Sequence, residues 1–177
     1  NVVLDSSCSV MSSYYGTLYA FIGLIGECMA NDGPCMIENS VNMASASFIG
    51  NTKWNMYLGG IAGWLSASGY EATVKNCAKY GSVTHSGTAS SAYIGGIVGY
   101  SDGKSVKNIQ NCLNYGSITH SGTTSRNLYI GGIFGHTAYG TNNLENCVSS
   151  VKISLEKKAS NFIGSVVGYI SNLATTT

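Results

Sequence analysis

The phrase Tyr93-Ile94-Gly95-Gly96-Ile97-Val98-Gly99-Tyr100 recurs from Tyr57 to Trp64, from Tyr129 to His136 and, in degenerate form, from Phe162 to Tyr169. Its last glycine, at Gly63, Gly99, Gly135 and Gly168, advances by 36, 36 and 33 residues, and Gly26 in a weaker copy lies 37 residues earlier. A period in this range belongs to modules that stack on their neighbours and bury a shared core, rather than to a globular catalytic domain. Function is therefore expected on a repeating surface, as columns of side chains.

Each unit has a second half, Val74-Lys75-Asn76-Cys77-Ala78-Lys79-Tyr80-Gly81-Ser82-Val83-Thr84 in one copy and Ile109-Gln110-Asn111-Cys112-Leu113-Asn114-Tyr115-Gly116-Ser117-Ile118-Thr119 in the next, with weaker copies at 37–47 and 144–154. Short runs rich in Val, Ile, Thr, Tyr and Phe, bounded by Gly, Asn and Ser, read as strands, and no segment carries a capped 3.6-residue apolar period. The expected class is all-β, a parallel β-solenoid of about five turns of roughly 36 residues, each turn holding three short strands split at Asn114-Tyr115-Gly116 and its equivalents. A β-propeller is the alternative, although its blades usually need four strands and about 40 to 45 residues. One repeat domain spans 1–177, with units near 1–19 (partial), 20–56, 57–92, 93–128, 129–161 and 162–177 (partial).

Two columns support stacking. Asn39, Asn76, Asn111 and Asn146 recur at the repeat spacing, and carboxamides one turn apart can hydrogen-bond along the axis while occupying a turn. Cys77, Cys112 and Cys147 follow directly, with Ser40 in the same place a turn earlier and Cys8 as a first member; they read as a column of small buried residues. Cys28 and Cys35 break that pattern and close a short segment, so they are the candidate disulfide, in an oxidising compartment. Within the glycine phrase, the Ile61, Ile97, Ile133, Val166 column is expected to face inward and the Ala62, Val98, Phe134, Val167 column to be less constrained. Beside them Trp64, Tyr100, His136 and Tyr169 form a candidate interaction stripe, facing outward or covered by loops as a second core layer.

Composition removes several functions. Charged residues make up 10% and the net charge is +1, so no basic stripe marks a nucleic-acid partner or an anionic membrane. The longest apolar stretches are near ten residues and interrupted by glycine, whereas a spanning helix needs about 20. The chain begins at Asn1 with neither an initiator methionine nor a cleavable apolar leader, which suits a processed chain or a piece of a larger one. The two glutamates of the Glu38, Lys75, Gln110, Glu145 column have two turns between them, roughly 14 to 15 Å, too far for a catalytic pair, and the column reads as a solvated face. His85 and His120 are equivalent and read as exposed loop residues; two imidazoles without carboxylate or thiol support are too few to hold a metal. No enzyme activity and no cofactor are expected.

The phrases Tyr93 to Gly99 and Asn111 to Ile118 resemble the GLUG-type repeats of large bacterial and protist cell-surface and secreted proteins, over about residues 17 to 170. The first unit, with Ile22 where Gly59 stands later, and the last, with Ser165 in a glycine place, depart from the pattern. The resemblance implies an extracellular, non-catalytic, structural or adhesive role. The expected partners are a second copy of the chain, which can continue the repeat head to tail into a filament, a host or cell-surface protein, or a glycan. A carbohydrate-binding module is the alternative reading, with a polysaccharide-active enzyme behind it.

Overall fold

A computed structural model describes residues 1–156, 160–171 and 174–176; the remainder of the predicted units 129–161 and 162–177 lies outside the described residues. Over these residues the chain is all β and winds as a parallel β-solenoid of about five turns. Every pair of neighbouring strands is parallel and joins successive turns, so Leu58 lies beside Ile94 and Ile94 beside Ile130. That pairing excludes propeller blades.

One complete turn contains six strands: Ala92–Gly95, Val98–Asp102, Lys107–Gln110, Leu113–Asn114, Ser117–His120 and Thr123–Thr124. The equivalents of these strands build five five-stranded sheets and one four-stranded sheet, here called the first to the sixth in turn order. Three strands per turn is therefore a correction. The predicted break at Tyr115-Gly116 separates the fourth and fifth strands, but two other breaks sit inside segments that read as continuous. One is at Gly96-Ile97, where the glycine phrase folds back on itself. The other is at Asn111, whose φ of 52° places it in the left-handed region, as do 51°, 53° and 51° at Asn39, Asn76 and Asn146. Asparagine tolerates that conformation because its short side chain bonds locally, so one Asn per turn marks the corner between the third and fourth sheets.

Two hydrophobic cores fill the interior. One, between the second and third sheets, holds Ile61, Ile97 and Ile133 with Leu65, Val74 and Ile109; the other, enclosed by the first, fifth and sixth sheets, holds Leu58, Ile94 and Ile130 with Phe48, Val83 and Ile118. Ala62, Val98 and Phe134 are fully buried in the first of these cores. Their variation in volume is compensation within a packed interior and not the freedom of a surface, which corrects the expectation of a less constrained face.

A polar partition separates the cores. The column Asn42, Lys79, Asn114, Ser149 on the fourth sheet faces the tips of the folded glycine phrases. Asn42 Nδ2 donates to the Gly60 carbonyl at 2.6 Å and Asn114 Nδ2 to that of Gly132 at 2.8 Å, while their Oδ1 atoms accept from Ala44 and Gly116 N–H groups at 3.0 Å. The glycines are required by the closeness of these approaches. A Cβ on Gly60 would stand 2.5 Å from Lys79 Cδ, and a Cβ on Gly99 would stand 2.7 Å from the Leu58 backbone nitrogen. Each turn is thus pinched at its middle, with an apolar lobe on either side.

Candidate functional site

The ladder surfaces are the chemistry this fold displays. At the third corner the exposed asparagines bond along the axis: Asn76 Nδ2 donates to Asn39 Oδ1 at 3.0 Å, Asn111 to Asn76 at 2.9 Å and Asn146 to Asn111 at 3.3 Å. A second carboxamide row stands on the third sheet, where Asn143 Nδ2 donates to Asn108 Oδ1 at 2.8 Å. Beside it Gln110 Nε2 donates to Glu145 Oε2 at 3.0 Å, so the Glu38 column is a hydrogen-bonded outer face.

Cys77 and Cys112 are buried and Cys147 is half-buried. Each thiol reaches a carbonyl two residues back and another in the turn below: Cys112 Sγ lies 3.3 Å from the Gln110 oxygen and 3.6 Å from that of Val74. Interaction with the Cys112 thiol lowers Cys77 and Cys147 below the usual thiol range, and the same two neighbours, with burial, push Cys112 up. Cys8 does not begin this column. It precedes Ser9, which pairs with Ser45, and Cys8 is exposed and free. Cys28 and Cys35 are joined by a disulfide with Cα atoms 6.1 Å apart, across the turn between the second and third strands.

The stripe Trp64, Tyr100, His136, Tyr169 is half-buried except at His136, which is buried. It interlocks with a second column, Phe21, Tyr57, Tyr93, Tyr129, Phe162, from the first sheet. Within that column rings stack at 4.8 to 5.3 Å with interplanar angles of 10° to 28°. Between columns Trp64 stacks on Phe21 at 5.3 Å, Tyr57 lies 5.0 Å from Tyr100 and Tyr129 lies 4.7 Å from His136. Each such pair contributes about 0.5 to 1.5 kcal/mol beyond its buried area. Trp64 Nε1 donates to Asp102 Oδ1 at 2.9 Å. Burial pushes the Tyr57 hydroxyl up to about 12, raises those of Tyr93 and Tyr100 as well, and pulls His136 down to about 4.

This geometry decides what the stripe can bind. The rings stack along the axis, so their faces are spent on one another, and Tyr57, Tyr129 and His136 are buried. A sugar needs a free ring face, and Trp64, the residue best suited to offer one, is sandwiched and hydrogen-bonded. Among the described residues Phe162, the last ring of its column, is the most exposed of the two columns at 37%.

His85 and His120 are not loop residues on the surface. Both are fully buried, on the inward face of the fifth sheet in line with Phe48 and Leu155, and their Nδ1 atoms lie 2.8 Å apart, one donating to the other. The signal was present in the alternation Val83-x-His85 and Ile118-x-His120, which puts each histidine on the face of a core aliphatic. Burial, and then the neighbouring His120, lower His85 to about 3. Sequence reasoning also missed two buried lysines. Lys79 Nζ donates to the Ala44 carbonyl at 2.6 Å in the partition, and Lys107 Nζ donates to Gly103 and Tyr139 carbonyls at 2.6 and 2.9 Å; burial lowers both to about 8. Lys107 thereby ties two corner segments together beside Tyr139, whose φ of 62° is unusual for a bulky residue.

Among the described residues no three His, Cys, Asp or Glu side chains converge to hold a metal ion, and no helix is long and apolar enough to cross a membrane. A cleft of about 440 Å³ at the corner of the second and third sheets is lined by Ser68, Asp102, Lys104 and Tyr139; its one carboxylate, Asp102, accepts the Trp64 indole N–H. The chain matches no protein-family model, no curated protein and no solved structure.

Proposed function

We propose that this chain is a non-catalytic structural and adhesive repeat element of an extracellular or cell-surface protein, and that it associates end to end along its axis. The observation that carries this reading is that the core columns end, in the fifth turn, on members that the described residues leave uncovered. Ile130 and Ile133 are fully buried in the fourth turn, yet their counterparts Ile163 and Val166 in the next are 42% and 41% exposed. The strands of the end turns each have one unpaired edge among the described residues, and the aromatic column ends on the open face of Phe162.

Successive turns share strand order and parallel pairing, so the strand edges of one end can pair with those of the other even though the end units differ in side chains. Such a contact is heterologous and does not close, so it propagates. The Cys28–Cys35 disulfide supports an oxidising compartment. The resemblance of the repeat phrases to those of surface proteins supports the same setting.

Sedimentation of the purified chain over a wide concentration range tests the reading. Mass is expected to rise with concentration, and to fall back to the monomer when Ile163→Lys and Val166→Lys place charges on the open end. A species of 18.5 kDa at all concentrations would refute axial association.

A further inference from the structure

Away from the stacked columns, at the corner between the sixth and first sheets, an open cleft of about 360 Å³ is lined by Tyr19, Lys53, Trp54, Asn55, Ser90 and Arg126 among its residues, none of them acidic. Backbone bonds set its frame. Ser90 N–H donates to the Trp54 carbonyl at 2.9 Å and Arg126 N–H to that of Ser90 at 2.8 Å, and two residues before the register Met56, Ala92, Leu128 of the first sheet, Trp54, Ser90 and Arg126 share one repeat position in three successive turns. A large, a small and a large side chain in one column leave a notch over Ser90. Its walls, the indole and the guanidinium, are two turns apart, roughly 9.6 Å.

Trp54 differs from the rings of the double column. It is 52% exposed and among the described residues meets one ring, Tyr19, at 5.6 Å and a tilt of 46°, while Tyr19 itself is 46% exposed. Tyr19 also meets Phe21 at 6.2 Å and Tyr57 at 5.9 Å, so Trp54 is the less covered of the two. Lys53 and Arg126 are exposed too, which places two positive charges at one notch in a chain with nine basic residues in all.

We propose that this notch binds an acidic sugar residue of a glycan, the ring lying against Trp54 and Tyr19 and its carboxylate meeting Arg126 and Lys53. An exposed indole offers a broad apolar face to the C–H side of a sugar, the planar guanidinium matches a carboxylate in a two-point contact, and the Asn55 amide and Ser90 hydroxyl suit ring hydroxyls. The span between the walls fits one to two sugar units. A nucleic-acid strand is disfavoured because two cations on a chain of net charge +1 form no stripe to follow a phosphate backbone. The inference supplies a ligand class for the adhesive role proposed above, and it rests on that reading only for its biological setting. Binding is measured on the isolated chain, and its outcome is independent of whether the chain associates end to end.

The test is tryptophan fluorescence and calorimetry of the 177-residue chain with a panel of acidic oligosaccharides (oligogalacturonate, hyaluronan oligosaccharide, sialyllactose), a neutral gluco-oligosaccharide and a single-stranded oligothymidylate. At least one acidic member is expected to perturb Trp54 emission and to bind at least tenfold more tightly than the neutral sugar. Arg126→Ala should weaken it at least tenfold, Ser90→Trp should fill the notch and abolish it, and Trp54→Phe should remove the optical signal. Circular dichroism on these surface variants verifies that the fold is kept. The proposal is overturned if no acidic sugar binds, if the neutral sugar binds equally well, if folded Arg126→Ala and Ser90→Trp bind like the parent, or if the oligothymidylate binds more tightly than every acidic sugar.

Discussion

Asn111 combines two separable contributions, and a pair of substitutions measures each. It donates to Asn76 Oδ1 at 2.9 Å, accepts from Asn146 Nδ2 at 3.3 Å and holds a φ of 52°. Both hydrogen bonds are exposed, so each belongs at the low end of the usual range, about 0.5 kcal/mol. The left-handed conformation costs an ordinary L-residue about 1 to 2 kcal/mol, and glycine nearly nothing, although glycine gives back part of this advantage through the entropy of the unfolded chain. Asn111→Gly is therefore expected to destabilise by about 1 to 2 kcal/mol, and Asn111→Ala by about 2 to 3 kcal/mol. For a chain of this size, the alanine variant should melt about 5 to 10 °C below the parent. Urea denaturation of the three proteins, followed by circular dichroism, reads both steps. If alanine and glycine prove equal, the corner is not held in the left-handed region. If both lie within about 0.5 kcal/mol of the parent, the ladder carries no weight at all.

Gly99→Ala places a Cβ 2.7 Å from the Leu58 backbone nitrogen, where neither side can give, and is expected to cost about 3 kcal/mol or more in the same assay. Lys79→Asn should stabilise by about 1 kcal/mol, because it removes a desolvated ammonium and restores the carboxamide that Asn42 and Asn114 use to cap glycine carbonyls in neighbouring turns. For pH, His85 and His136 are held at about 3 and about 4 in the folded chain, below their ordinary 6.5, so below pH 6.5 the unfolded chain takes up protons that the folded chain refuses. Their contribution is complete above about pH 6.5 and is lost as pH falls toward 4 and then 3, by about 1 to 3 kcal/mol in total over the first part of that window. A flat denaturation midpoint between pH 7 and 4 would contradict the buried placement of these rings.

The period, the inward Ile61 column and the two axial columns were legible because the solenoid repeats them at nearly constant spacing, and identical neighbours in sequence become identical neighbours in space. What was not legible depended on how each turn folds back within itself. The glycine phrase reads as one strand, but its Gly-Gly pair is the tip of an arc that touches Asn42, Lys79 and Asn114 on the opposite wall. From that contact follow the six strands per turn, the division into two cores and the burial of the Ala62 column. The aromatic stripe was identified, but not its partner column, because the outward faces of Tyr57 and Trp64 meet only once the arc has closed. His85 was misplaced for a simpler reason: its setting between Thr84 and Ser86-Gly87 looks like a loop, and the alternation that buries it spans only three residues. The notch at Trp54 and Arg126 escaped notice because it arises from differences between repeats rather than from their likeness.

End-to-end association is the central claim, and electron microscopy of the purified chain at high concentration tests it most directly. A five-turn solenoid is roughly 24 Å tall. The account predicts unbranched rods one solenoid wide, with lengths in multiples of that height and a 4.8 Å repeat along their axis. Isolated particles at every concentration, or assemblies joined side by side with their ends still open, would contradict it.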